Sequence, residues 1–138
     1  MIGLLSRREH SRKELVHKLL AKGTSVDTIK SVLDHLAREN LQSDERFTEV
    51  YIHSRTQKGY GPVRLNQELR ERGIEDNMIE RCLDNFKIEW MEILTNVRNK
   101  KFGASPPADF KERSRQSHFL QYRGFTGDQI KNLYRGDD

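Results

Sequence analysis

Residues 55–73 read RTQKGYGPVRLNQELRERG and predict the end of one helix, a short corner and the whole of the next helix. Gly59 can end a helix without steric cost, because glycine readily adopts the left-handed backbone conformation. Pro62 suits the first turn of a helix, where its missing N–H is not needed. The pattern therefore predicts a rigid corner around Tyr60. Three cationic side chains flank that corner: Arg55, Lys58 and Arg64.

The pattern around this corner recurs along the chain. Seven positions that are apolar or glycine have counterparts 50 residues later. They are Leu15, Leu19, Gly23, Ile29, Val32, Leu33 and Leu36, which match Leu65, Leu69, Gly73, Ile79, Cys82, Leu83 and Phe86. A third copy, 51 residues after the second, contains Leu120, Gly124, Ile130, Leu133 and Tyr134. Self-similarity at a nearly fixed period indicates tandem structural repeats.

Each copy has the spacing of a helix pair. The apolar positions after the glycine stand at i, i+3 and i+4 in every copy, and also at i+7 in the first two, which is one face of a helix. Each glycine is then a corner between two helices. Thr24 followed by Asp27 resembles a capping box at one helix start. Other predicted caps share a short polar side chain ahead of an apolar stripe: Ser11, Ser43, Asp76 and Thr126.

A further helix precedes each pair, as the stripe Phe47, Val50 and Tyr51 indicates for the second copy. The sequence therefore predicts an all-α protein of three tandem three-helix repeats, stacked into an elongated, curved body. The predicted repeats are 1–40, 41–87 and 88–138. The first repeat is N-terminally short and begins in mid-element, so we expect either missing N-terminal residues or a naturally short start.

Composition narrows the class of protein. Of the 138 residues, 34% are apolar and 33% are charged, which is lean for one round core. Twenty-five Lys and Arg against 21 Asp and Glu give a net charge of +4, which suits an acidic partner without requiring one. The single cysteine, Cys82, cannot form an internal disulfide and is predicted to be a core residue. The apolar part of the opening MIGLLSRREH is too short for a signal peptide or a membrane span, so a cytoplasmic protein is expected. We also expect a monomer.

Several segments together resemble the RecX regulatory proteins of bacteria. They are REHSRKEL, KLLAKG, SDERFTEVYIHSR, KGYGPVRLNQELRERGI and FLQYRGF, which cover nearly the whole chain. The resemblance implies tandem three-helix repeats and a non-enzymatic protein. It also implies a negative regulator that binds the filament of the RecA recombinase on DNA and lowers its strand exchange, ATPase and coprotease activities. Through RecA, such a regulator would modulate DNA repair and the SOS response.

The residues themselves give no support to an enzyme. The turn Gly59-Tyr60-Gly61-Pro62 lacks the Lys and Ser or Thr of a phosphate-binding loop, and Pro62 removes an N–H that such a loop uses. The five histidines form no HExxH pattern and have no cysteine cluster beside them. We therefore expect no catalytic residue, no cofactor and no metal ligand.

Two binding functions remain open. A recombinase filament can be the partner, with possible weak nonspecific DNA contact; alternatively, the chain is a small basic helical protein that binds nucleic acid without a dedicated protein partner. The candidate contact residues combine arginine and lysine with one aromatic ring, which is typical of interface anchors. They are Arg7, Arg8, Arg12, Lys13, Arg46, Arg55, Lys58, Tyr60 and Arg64.

Five aromatic and basic residues remain to be placed: Tyr60, Trp90, Phe102, Tyr122 and Arg123. The ring of Tyr60 either packs over its corner against Leu65 or is an exposed contact. Trp90 and Phe102 are predicted to lie between helices. Tyr122 and Arg123, directly before Gly124, either extend the basic surface into the third repeat or form a solvated helix end.

Overall fold

The structure is a computed structural model that describes residues 8–135. Within that range the chain forms eight helices and no strand. They are α1 (Arg12–Ala21), α2 (Val26–Arg38), α3 (Asp44–Gln57), α4 (Pro62–Glu71), α5 (Asp76–Asn85), α6 (Trp90–Phe102), α7 (Phe110–Tyr122) and α8 (Gly127–Arg135). None of these described helices is long and apolar enough to cross a membrane. The all-α class predicted from the sequence is confirmed.

One type of helix-ending turn occurs at four glycines. Gly23, Gly59, Gly73 and Gly124 have φ values of 81°, 84°, 83° and 100°. At Gly73, the glycine N–H donates to the carbonyl of Arg70 and the next N–H, of Ile74, donates to Leu69, both at 3.0 Å. The same pair of bonds forms at the other three. The predicted glycine corners are therefore confirmed at the level of the backbone.

The caps confirm most of the predicted helix starts. Ser11 forms a reciprocal capping box with Glu14. The Ser43 hydroxyl accepts from the N–H of Arg46 at 3.1 Å, and the Thr126 hydroxyl accepts from the N–H of Gln129 at 3.1 Å. Each of these side chains satisfies a donor that the first turn of a helix leaves without a backbone partner.

Two cap predictions are wrong. The cap of α2 is Ser25, whose hydroxyl accepts from the N–H of Thr28 at 3.3 Å. Thr24 belongs to the preceding corner, because its N–H donates to Leu19 and completes the turn at Gly23. Asp76 is the first residue of α5 rather than its cap, and its carboxylate instead accepts from Arg70 at 2.6 Å.

Packing divides the described residues into two compact units. The first unit consists of the chain up to Ile52 together with Glu68–Asn85, and the second of His53–Gln67 together with the chain from Phe86 onward. A cluster of Leu15, Ile29, Leu33 and Leu36 lies in the first unit. A larger cluster lies in the second: Leu94, Leu120, Phe125, Ile130, Leu133 and Tyr134. The boundaries of the three repeats stay a prediction.

The apolar positions of the repeat are buried or half-buried except Phe86. The prediction for Val50, in the stripe of α3, is wrong as well, because this residue is 52% exposed. Cys82 is 1% exposed, as expected for a core residue. Phe86 is 44% exposed, although the repeat predicted it to be part of the stripe. The reason is that α5 ends at Asn85 and Lys87 takes a positive φ of 47°, so Phe86 lies beyond the helix.

Two aromatic residues of α6 lie against other helices as predicted. Trp90 packs against the apolar cluster of the second unit and is partly buried. Phe102 meets Phe119 of α7 edge to face, with ring centroids 5.4 Å apart. These contacts help to join α6 and α7 in the second unit.

Candidate interaction surface

Two glycine corners of the second unit are joined main chain to main chain. The N–H of Gly61 donates to the carbonyl of Arg123 and the N–H of Val63 donates to that of Gly124, both at 2.9 Å. A Cβ on Gly61 would lie 2.5 Å from the oxygen of Gly124, and a Cβ on Gly124 would lie 2.4 Å from the Cβ of Arg64. Both positions therefore require glycine for a close backbone approach, a use that the sequence analysis did not identify.

The ring of Tyr60 lies among three guanidinium groups at this junction. The guanidinium carbons lie 3.9 Å (Arg55), 4.2 Å (Arg123) and 4.5 Å (Arg64) from the ring centroid. We call these four residues the Tyr60 cluster. Cation–π attraction holds a guanidinium over an aromatic ring at such distances. The half-buried ring thus keeps three like charges close together, which is a role that neither of the sequence-based alternatives described.

Arg123 links this cluster to the end of α3. Its guanidinium donates to the carbonyl of Lys58 and, at 3.4 Å, to that of Gly59. These carbonyls lie just beyond the C-terminus of α3, where a cation is favoured by the helix dipole. The Arg123 guanidinium therefore donates hydrogen bonds to the end of α3 and also contacts the Tyr60 ring.

The neighbouring side chains extend the surface. Arg64 donates to the carbonyl of Tyr122 at 3.4 Å and lies 5.5 Å from the centre of its ring. Tyr122 is 75% exposed, and Val63 is 52% exposed. Tyr122 and Arg123 therefore lie beside Arg64 of the Tyr60 cluster, and their part in an interaction surface stays a prediction. Exposed aromatic and arginine groups side by side have the composition of protein interface anchors.

A signal for Arg123 was present in the sequence. A cation directly precedes each of the four corner glycines: Lys22, Lys58, Arg72 and Arg123. Cations at helix C-termini are common, so this regularity alone predicts a structural role. Arg72 also lies over an aromatic ring, 4.9 Å from the centroid of Tyr51 in the first unit. The sequence did not reveal which tyrosine each arginine contacts.

Three of the arginines predicted for the first unit, Arg8, Arg12 and Arg46, are paired with carboxylates. Each forms an ion pair with a side chain of the same unit: Arg8 with Glu14 at 3.2 Å, Arg12 with Asp34 at 2.8 Å, and Arg46 with Glu9 at 2.5 Å. The hydrogen bond from Arg12 lowers the pKa of Asp34. Burial raises the pKa of Glu14, but the hydrogen bonds from Arg8 and the Ser11 backbone outweigh it and leave that pKa below its ordinary value. Local pairing reduces the charge that these arginines offer to a partner.

Three further predicted contact residues belong neither to the Tyr60 cluster nor to these ion pairs. Lys13 is exposed on α1, with its aliphatic stem beside Gly73. Lys58 is exposed at the end of α3. Arg7 lies outside the described residues.

One group of potential metal ligands occurs in the described part of the chain. Ligand atoms of Glu45, Glu49 and Cys82 lie within 4.8 Å of one another. Burial raises the pKa of the Cys82 thiol, and the two carboxylates act in the same direction. A raised pKa opposes the thiolate form that binds metal ions. Glu45 is also engaged by Arg81 at 3.7 Å.

Comparisons with known proteins agree with this architecture. Three consecutive family models match the chain: the first three-helix domain of RecX at 1–36, the second at 43–83 and the third at 88–133. A protein named Regulatory protein RecX, from Halorhodospira halophila, is 46% identical over 93% of this chain and 80% of its own length. This chain belongs to the RecX family. The predicted family resemblance and the three-helix repeats are thereby confirmed.

Other RecX proteins show the same correspondence. A Regulatory protein RecX from Pseudomonas fluorescens is 41% identical over 96% of this chain and 86% of its own. The crystal structure of RecX from Lactobacillus salivarius superposes with a TM-score of 0.82 at 21% identity, over 99% of this chain and 91% of that one. A second crystal structure, of a regulatory protein RecX, gives a TM-score of 0.84 at 21% identity, over 98% and 69% of the two chains. The structural likeness shows that the fold is shared.

Proposed function

We propose that this RecX-family protein is a non-enzymatic negative regulator of RecA. It binds the RecA–DNA filament and inhibits the recombinase, ATPase and coprotease activities, and so modulates DNA repair and the SOS response. Membership of a family whose relatives are named regulatory proteins supports the general class. We further propose that it acts as a cytoplasmic monomer.

The Tyr60 cluster is the observation that carries this proposal. Three guanidinium groups gathered on one ring would repel one another in open solvent, and the Tyr60 ring offsets part of that repulsion. The hydrogen bonds donated by Gly61 and Val63 hold together the two backbone segments that carry the residues of the Tyr60 cluster. A rigid, preorganised cationic surface loses little conformational entropy on binding. An acidic patch on a RecA protomer is its complement.

Inhibition follows in either of two ways from such a contact. A bound regulator restrains the movement between filament subunits that ATP hydrolysis and strand exchange require, or it blocks the path of the second DNA. Repetition of the site along a helical filament also allows many copies to bind one filament. Both routes lower strand exchange, and only the first lowers ATP hydrolysis directly.

The alternative is a basic helical protein that binds nucleic acid without a dedicated protein partner. The net charge of +4 and the three arginines of the Tyr60 cluster favour it, because cationic groups attract phosphates nonspecifically. Weak phosphate contact also accompanies the first proposal, as an accessory to the protein contact.

A RecA ATPase assay at constant DNA separates the two functions. A RecA regulator inhibits at amounts below one copy per RecA protomer, and excess single-stranded DNA does not relieve the inhibition. A DNA-binding competitor loses its effect when that DNA is added. Simultaneous Arg55→Ala and Arg64→Ala substitution should reduce inhibition by more than about tenfold, since charged contacts at a binding surface carry much of its specificity.

The matched control removes the same number of charges elsewhere. Lys30→Ala with Arg81→Ala alters two exposed cations of the first unit that are not in the Tyr60 cluster. This control should inhibit like the unchanged protein. Equal loss of potency in both double variants would mean that net charge, rather than the Tyr60 cluster, is responsible, and would contradict the proposal.

A further inference from the structure

An open cleft in the second unit is lined by the C-terminal parts of α3 and α7 and by most of the length of α6. Its volume is about 760 Å³, and α3, α6 and α7 each contribute to its walls. Four of its lining residues are cations: Lys58, Lys100, Lys101 and Arg123. No Asp or Glu is among the lining residues, all of which lie in the described range. This composition differs from the mixed charge of the chain as a whole, where acidic residues nearly balance the basic ones.

The positive charge of the side chains in this cleft is larger than the negative partial charge of the helix C-termini beside it. A helix C-terminus carries a partial charge of about −0.5, so three of them amount to about −1.5. Four cationic side chains leave a surplus of about +2.5 by the same reckoning. Arg123 already donates to the carbonyls of Lys58 and Gly59. The three lysines have exposed side chains and supply most of the surplus.

The remaining lining favours a peptide over a nucleic acid. A single-stranded nucleic acid binds by stacking its bases on aromatic rings. Two aromatic rings line the cleft, those of His53 and Phe119. The Phe119 ring is already in contact with the Lys101 ammonium, 5.4 Å from the ring centroid, and with the ring of Phe102, so the smaller imidazole of His53 is the other ring on which a base could stack. Ile93 and Val97 are aliphatic and half-buried, and they offer a surface for an apolar side chain instead.

We propose that this cleft binds an acidic segment of a partner protein. An apolar side chain of that segment lies against Ile93 and Val97, and carboxylates on either side of it face the lysines. The cleft adjoins the Tyr60 cluster, because Arg123 lines the cleft and contacts the Tyr60 ring. A partner that binds one surface therefore has the other within reach. The cleft assignment concerns the chemistry of the ligand and does not require the partner to be RecA.

Fluorescence anisotropy with a synthetic peptide tests the assignment on the 138-residue protein in the absence of RecA. The probe is a short fluorescein-labelled peptide with one leucine flanked on both sides by glutamates. A second peptide has glutamine in place of each glutamate, and a third has glycine in place of the leucine. An oligothymidylate of equal charge is the nucleic-acid probe. The first peptide should bind most tightly, and each of the other two peptides should bind more than about tenfold more weakly.

Charge reversal locates the binding. The double substitution Lys100→Glu with Lys101→Glu should weaken binding of the first peptide by more than about tenfold, because it replaces attraction by repulsion in the cleft. The control, Lys111→Glu with Lys131→Glu, changes net charge equally at two exposed positions outside this cleft and should bind normally. Circular dichroism verifies that both variants keep their helices.

Three outcomes overturn the proposal. They are no binding of the glutamate–leucine peptide, equal weakening in both charge-reversed variants, and tighter binding of the oligothymidylate than of the peptide. RecA inhibition is read in the separate ATPase assay with the Arg55 and Arg64 variants. Failure of the peptide assay with normal inhibition therefore contradicts only the cleft, and the reverse result contradicts only the RecA proposal.

Discussion

The α-carbon of Gly61 faces the carbonyl of Gly124 so closely that a Cβ there would lie 2.5 Å from that oxygen. Gly61 is not in the left-handed region, so backbone conformation does not explain its need for glycine. The cause is contact: the N–H groups of Gly61 and Val63 donate to the carbonyls of Arg123 and Gly124 in the other corner. The Tyr60 cluster therefore depends on a junction that tolerates no side chain at either glycine.

Gly61→Ala should destabilise the protein by about 1–3 kcal/mol, because the methyl group forces rigid backbone apart. Gly127→Ala is the control, since a Cβ at that position meets nothing within 4 Å and the residue lies at the start of α8. Its effect should stay within about 0.5 kcal/mol. Urea unfolding followed by circular dichroism measures both. Equal stability of the two variants would show that the corners separate at little cost.

The aromatic ring of Tyr60 should be required for RecA inhibition, and its hydroxyl should not. Tyr60→Phe keeps the ring and should retain inhibition within about twofold, since cation–π attraction depends on the ring face. Tyr60→Leu removes that face, and inhibition should fall by more than about tenfold as the three arginines spread apart. The ATPase assay measures potency and circular dichroism verifies folding. Full potency of the Leu variant would refute the role of the Tyr60 cluster.

The sequence repeat made the local structure predictable. The contacts between the glycine corners could not be predicted from it. Leucine and glycine spacing predicted the helices and the left-handed turns, because both depend on residues close in the chain. The bond from Gly61 to Arg123 joins residues far apart in sequence, and nothing in either segment alone specifies it. Periodicity likewise could not show that Arg8 and Arg12 are paired with carboxylates, since a charged side chain on a helix face has several partners within reach.

Alanine substitutions at Ser25 and Thr24 test which of the two residues caps α2. Ser25→Ala should cost about 1 kcal/mol, because the N–H of Thr28 loses its acceptor. Thr24→Ala should cost less than half of that, as the structure gives Thr24 a backbone bond that alanine preserves. Thermal and urea unfolding of the two variants give the comparison. A larger loss for Thr24→Ala would restore Thr24 as the cap.

The leucine stripe should carry most of the stability of α4. Leu69 is 0% exposed, so Leu69→Ala should cost about 2–5 kcal/mol by removing apolar contact and leaving a cavity. Leu20→Ala is the control, because Leu20 is 47% exposed on α1. This substitution should lower the free energy of unfolding by less than about 1 kcal/mol. Chemical denaturation measures both. A small loss for Leu69 would mean that the core readily closes around the missing side chain.

Glu14 should make the first unit sensitive to acid. Its pKa lies below the ordinary value of 4.5, because hydrogen bonds from Arg8 and Ser11 outweigh the effect of burial. A carboxyl with a depressed folded-state pKa contributes stability at pH values above its ordinary pKa, and that contribution is lost as the pH falls through the folded-state value. Glu14→Gln keeps a hydrogen-bonding group for the capping box but does not titrate. The unchanged protein should therefore lose more stability than the Gln variant as the pH falls from about 5 through the folded-state pKa of Glu14. Parallel pH dependences in urea unfolding would show that the Arg8–Glu14 pair contributes nothing to folding.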